Sequence, residues 1–107
     1  MTHKEVEEFI LTFPNVRLDY PFGEKAAVYR AANDKLFAII QENSDPLKIS
    51  LKVDPQLGQF LREKYESVML GYHLNKKHWV TILATGQLSD QEIYDLIRHS
   101  FEQVNSK

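Results

Sequence analysis

The sequence contains no cysteine. That excludes a disulfide framework, thiolate zinc sites and a cysteine nucleophile. Glycine is scarce. Gly23, Gly58, Gly71 and Gly86 stand alone, so neither the dinucleotide nor the P-loop type of phosphate-cradling loop is present. There is no HExxH and no nucleophile elbow. None of Ser44, Ser50, Ser67, Ser89, Ser100 and Ser106 lies in a recognisable catalytic context. Nothing positive argues for an enzyme, and a non-enzymatic protein is expected. No apolar run approaches the roughly 18 residues needed to cross a bilayer, and MTHKEVEEFI lacks the apolar core of a signal peptide. A soluble cytoplasmic protein is the expectation. Strong charge is lacking too. Lys and Arg total 13 against 15 Asp and Glu, a net charge of −2, so a nucleic-acid partner would have to be met by a patch rather than by the whole surface.

What is there reads as one ordinary globular domain. The 107 residues are 43% hydrophobic and 26% charged, enough for a core without disulfides or a metal. Thr2 and Glu5 form a capping box for a first helix, with Val6, Phe9, Ile10 and Phe13 on one face and Pro14-Asn15 ending it. The period then changes to two. Strands are predicted over Val16–Phe22, where Pro21 points to a short or edge strand, and over Ala26–Ala32 and Lys35–Gln41, joined at Asn33-Asp34. Leu47, Ile49, Leu51 and Val53 alternate with Lys48, Ser50 and Lys52, the pattern of an antiparallel strand with one core face and one wet face. Asp54-Pro55 starts a second helix with Leu57, Phe60, Leu61 and Tyr65 as its stripe. Ser67–Leu70 is a short strand, Gly71 opens a turn, and Trp79–Thr85 is the last strand, closing at Gly86. Ser89 and Glu92 box the C-terminal helix, whose buried face is Ile93, Leu96, Ile97, Phe101 and Val104. The order lacks βαβ alternation. An α+β fold is predicted, a twisted antiparallel sheet with the N-terminal, middle and C-terminal helices packed mainly on one face.

One run stands out. GYHLNKKHW at 71–79 holds two lysines, two histidines and the single tryptophan, inside a stretch from Ser67 to Ser89 with no acidic residue. His73 and His78 fall at a spacing that aligns on neither a strand nor a helix, so a metal site is not expected. A histidine and Asn75 holding the turn is the economical structural reading. By strand parity Trp79, Thr81 and Leu83 share one face and Val80 and Ile82 the other. If the latter are core, Trp79 lies on the open face with Lys48 and Lys52. Lysines for phosphates and an aromatic for stacking is the usual recipe of a nucleic-acid surface. The candidate binding residues are therefore Lys48, Lys52, His73, Lys76, Lys77, His78 and Trp79.

GYHLNKKHW, with YPFGE at 20–24, PLKISLKVDP at 46–55 and SDQEIYDLIRHSFEQV at 89–104, closely resembles the MmcQ/YjbR family of small bacterial proteins. The resemblance implies a frataxin-related, CyaY-like α+β fold and a double-wing DNA-binding role. Where many relatives have a proline before GYH, this chain has Leu70. Frataxin-type iron binding does not carry over, because Glu5, Glu7 and Glu8 are only a thin version of the acidic ridge it needs. The resulting expectation is a DNA-binding monomer with no cofactor, no metal and no membrane association. The rivals are a protein-interaction module using the open sheet face, and a small-molecule site under the YPFGE and GYHLNKKHW loops.

Overall fold

A computed structural model describes residues 1–71 and 74–105. The elements run α1 (His3–Ile10), β1 (Arg17–Asp19), β2 (Ala26–Arg30), β3 (Leu36–Gln41), β4 (Lys48–Lys52), α2 (Pro55–Lys64), β5 (Val68–Leu70), β6 (Trp79–Leu83) and α3 (Asp90–Asn105). Among the described residues the six strands form one antiparallel sheet in the order β1-β2-β3-β4-β6-β5.

The helices begin where local chemistry satisfies their free amide donors. The Thr2 hydroxyl accepts the Glu5 N–H while the Glu5 carboxylate accepts the Thr2 N–H. Asp54 accepts from Gln56 and Leu57 ahead of Pro55. Ser89 and Glu92 make the same reciprocal pair at α3.

All three helices share one core with one face of the sheet. Val6 and Ile10 of α1, Leu61 of α2, and Ile93, Ile97 and Val104 of α3 bury against Tyr29, Ala38, Ile40, Ile49, Leu51, Val80 and Ile82. Burying each large apolar side chain contributes on the order of 1.5–3 kcal/mol. The helices therefore lie on one side, as the alternation predicts, and the other face of the sheet is left to other uses.

Three details differ from the sequence pattern. The strand predicted over 16–22 contracts to Arg17–Asp19, all three residues exposed. Pro21 offers no ladder donor, and the Asp19 carboxylate takes the Tyr20 N–H instead. Phe60, placed on the buried stripe of α2, is 55% exposed, with the Lys64 ammonium 5.5 Å from its ring centroid. The contact face of α2 runs instead through Gly58 and Leu61, with Leu57 and Tyr65 beside them. The third is a bulge in β3. Tyr29 pairs with Ala38 but Arg30 pairs with Leu36, so Phe37 is an extra residue. It joins the core, its ring edge-on to Phe101 and tilted against Phe13. The buried Ser100 hydroxyl bridges the gap at this end of the sheet. It donates to the Phe37 carbonyl and accepts the Lys52 N–H at 2.9 Å.

Candidate functional site

The sheet face away from the helices carries a hollow. Register places Val28, Ile39, Ser50, Thr81 and Met69 in a straight row across β2, β3, β4, β6 and β5. The row is apolar except at its centre, where the Ser50 and Thr81 hydroxyls meet at 2.8 Å. Ile39, Ser50, Thr81 and Met69 line the floor of a hollow of about 970 Å³. Phe22 forms one wall from the YPFGE segment, 64% exposed. Leu70 and Leu74 form the opposite wall, Leu74 coming from the GYHLNKKHW run. Two segments half the chain apart thus meet across one cavity.

The hollow is chemically lopsided. Lys25 just before β2, Gln41 at the end of β3 and Lys48 at the start of β4 line it where these strand ends come together. Met69, Leu70 and Leu74 make the far side apolar. No acidic residue is among the described lining residues.

The seven candidate residues do not gather in one patch. Lys48 lines the large hollow. Lys76 and Lys77, both exposed, line a second, shallower one of about 530 Å³ with Pro55, Gln59, Arg62 and Leu70. Leu70 borders both. Lys52 sits on the open face opposite Trp79 and lines neither hollow. His78 holds the turn through its backbone. Its carbonyl accepts the Val53 N–H at 2.8 Å, and its N–H donates to the Asn75 carbonyl. Asn75 also takes the Lys77 N–H on its side chain, a local Asx turn. His73 lies outside the described residues.

Trp79 requires a correction. Parity puts it on the open face, with Val80 and Ile82 in the core, as expected. Yet it is only 7% exposed, and Gly71 lies close beside it, its N–H donating to the Trp79 carbonyl at 3.2 Å. A Cβ added at Gly71 would lie 2.6 Å from the Trp79 Cβ. The indole is a packed element of the fold and offers no platform for a base.

The sequence pattern also passed over a polar cluster on the helix side. The buried Tyr29 hydroxyl donates to Glu7 at 2.7 Å and lies 3.4 Å from the His3 ring, while His3 pairs with Glu42 at 3.3 Å. Burial first, then the Glu7 hydrogen bond, pushes the Tyr29 phenol far above its ordinary range. It stays a neutral donor and ties α1 to the sheet. Neither hollow reaches it. Among the described residues no group of three or more His, Asp or Glu is placed to hold a metal ion, and no helix is long and apolar enough to cross a membrane.

An α+β domain with a six-stranded antiparallel sheet, helices on one face and a hollow on the other is the class of protein these features define. The YjbR family model matches residues 11–103, and the chain belongs to that family. It is 33% identical to YjbR of Escherichia coli K12 over 104 residues, covering 97% of this chain and 87% of that protein. It is 31% identical to YyaQ of Bacillus subtilis, covering 92% and 90%. The crystal structure of DR2400 from Deinococcus radiodurans, a DUF419 domain, matches with a TM-score of 0.94 at 33% identity, covering 99% of this chain and 80% of that one. A crystal structure from Pseudomonas syringae matches with a TM-score of 0.82 at 32% identity, covering 96% and 98%. None of these names states an activity.

Proposed function

We propose that this protein is a non-enzymatic binder of a small organic molecule, held in the hollow on the open face of its sheet. The observation that carries this reading is the hollow itself. Its volume of about 970 Å³ and its apolar walls with a few converging polar groups are those of ligand sites in general. A merely wet sheet face would not carry Val28, Ile39 and Met69 in its central row. The test is a fragment screen by protein-observed NMR on the wild type and on Ser50→Phe, which fills the floor. Hits should move the amides of Ile39, Ser50, Thr81 and Met69 in the wild type and fail to bind the variant. Hits that bind both proteins equally would remove the hollow from consideration.

Contact with DNA is the second reading, favoured by a separate observation. Lys76 and Lys77, both exposed, share their hollow with Arg62. Guanidinium and ammonium groups together suit phosphate oxygens. Such a patch neutralises few phosphates, so affinity would be low and steeply salt-dependent. Fluorescence anisotropy with mixed-sequence DNA at low salt tests it. Binding should weaken in Lys76→Ala/Lys77→Ala and persist in Ser50→Phe. Absence of binding at tens of micromolar protein would dispose of this reading without touching the first.

A further inference from the structure

Resting on the ligand-hollow reading, we infer that the occupant is an amphipathic organic anion, a carboxylate on a flat or chain-like apolar body. The hollow has a direction. At one corner Lys25, Gln41 and Lys48 come together from the ends of three adjacent strands. From there the floor runs across Ile39, Ser50 and Thr81 to the apolar wall of Met69 and Leu74.

The corner carries two lysines and no lining carboxylate among the described residues. Neither lysine ammonium is within salt-bridge distance of a carboxylate among the described residues. Glu42, the acidic residue nearest in sequence to Gln41, is paired with His3 on the helix side of the sheet. The backbone contact between Glu42 and Lys25, a 2.8 Å N–H to carbonyl bond, fixes the β2 and β3 ends without bringing the Glu42 carboxylate to the hollow. A carboxylate set between two ammonium groups, with the Gln41 amide as a further donor, gains charge-assisted hydrogen bonds. A neutral ligand leaves those donors to water. A cationic ligand meets repulsion from Lys25 and Lys48 at this corner. The length of apolar floor between the corner and Leu74 then requires a body of hydrocarbon rather than a bare small acid, because the favourable term there is apolar area removed from water.

The experiment uses the full chain, 15N-labelled, titrated at low salt with 2-naphthoate and with its neutral counterpart 2-naphthalenemethanol, on the wild type and on Lys25→Gln/Lys48→Gln. Both substitutions are at partly or fully solvated lysines, so the variant keeps its fold, and its amide spectrum reports that directly. Naphthoate should move the Ile39, Ser50, Thr81 and Met69 amides and bind about tenfold tighter than the alcohol, the size expected of partly solvated ion pairs. In the variant the tenfold gap should close, with the alcohol's affinity unchanged. Equal binding of acid and alcohol to the wild type, or a gap that survives in the variant, overturns the anion assignment while the hollow stands as a ligand site. If neither probe moves these amides at millimolar concentration, the anion assignment and the ligand reading fall together.

Discussion

At the scale of single residues, the molecule turns on where side chains are forbidden. Gly71 is buried and its φ is unremarkable, so conformational freedom is not its purpose. Its role is close approach. Its N–H donates to the Trp79 carbonyl at 3.2 Å, and a Cβ would meet the Trp79 Cβ at 2.6 Å and the Trp79 carbonyl carbon and oxygen at 3.2 Å. Backbone is among the atoms it would strike, so a rotamer change cannot relieve the clash. Gly71→Ala should therefore lose about 1–3 kcal/mol, the usual range for overpacking, read as a lower urea midpoint with an unchanged slope. Near-wild-type stability would mean that the turn slides away from the tryptophan easily. Gly71 and Trp79 also mark a limit of the sequence. Strand parity puts Trp79 on the open face, but parity alone does not decide whether a side chain on that face is covered, and Trp79 is. Ser100 is a similar case. Its position on the inner side of α3 is legible from Ile97 and Val104, whereas its bridge to Phe37 and Lys52 depends on a bulge that alternation does not announce.

At the scale of elements, boundaries with side-chain chemistry were the legible ones. Thr2, Asp54 and Ser89 each begin a helix by hydrogen bonds that short sequence patterns encode. The sequence pattern puts Phe60 on the buried side because α2 carries two overlapping apolar stripes. The stripe through Gly58 and Leu61 won, since the glycine lets the helix approach Val53 and Val80. The α3 cap makes a pH prediction. The Ser89 backbone N–H, then its hydroxyl, hold the Glu92 carboxyl below the ordinary carboxylate range, with Tyr65 and Lys64 adding to this. A carboxyl with a lowered folded-state pKa stabilises the fold above its unfolded value, about 4.3. That contribution is lost as pH falls through the folded-state value. Glu92→Gln keeps a side chain that can accept in the box but cannot titrate. The melting temperature of the wild type should exceed that of Glu92→Gln at pH 6, and the difference should shrink as pH is lowered from about 5 to 3. A difference that stays constant over that range would show that the charge of Glu92 has no part in holding α3.

For the molecule as a whole, the two sheet faces divide the labour, and the open face is the part a linear pattern could not assemble. Its hollow draws on the segments around 22–26, 39–50 and 69–81, and β4 read as wet on that side because Lys48, Ser50 and Lys52 are all polar. In the fold the three separate. Lys48 goes to the cationic corner, Lys52 stands opposite Trp79, and Ser50 lies on the floor bonded to Thr81. A Ser–Thr pair amid apolar neighbours is an odd choice for stability alone. Such a bond contributes roughly 1 kcal/mol net, and replacing both partners with apolar groups of like shape is close to neutral. Ser50→Ala with Thr81→Val should therefore leave the unfolding free energy within about 0.5 kcal/mol of wild type, measured by urea denaturation. Thr81→Val alone should cost about 1 kcal/mol, the net contribution of the bond it removes. The same double variant should change the affinity for 2-naphthoate several-fold, because the hydroxyl pair is then kept for what lies in the hollow. A double variant that loses more than about 2 kcal/mol would assign the pair to the fold. The centre of the open face would then be explained by packing, with function confined to its cationic corner and to the Lys76–Lys77 edge.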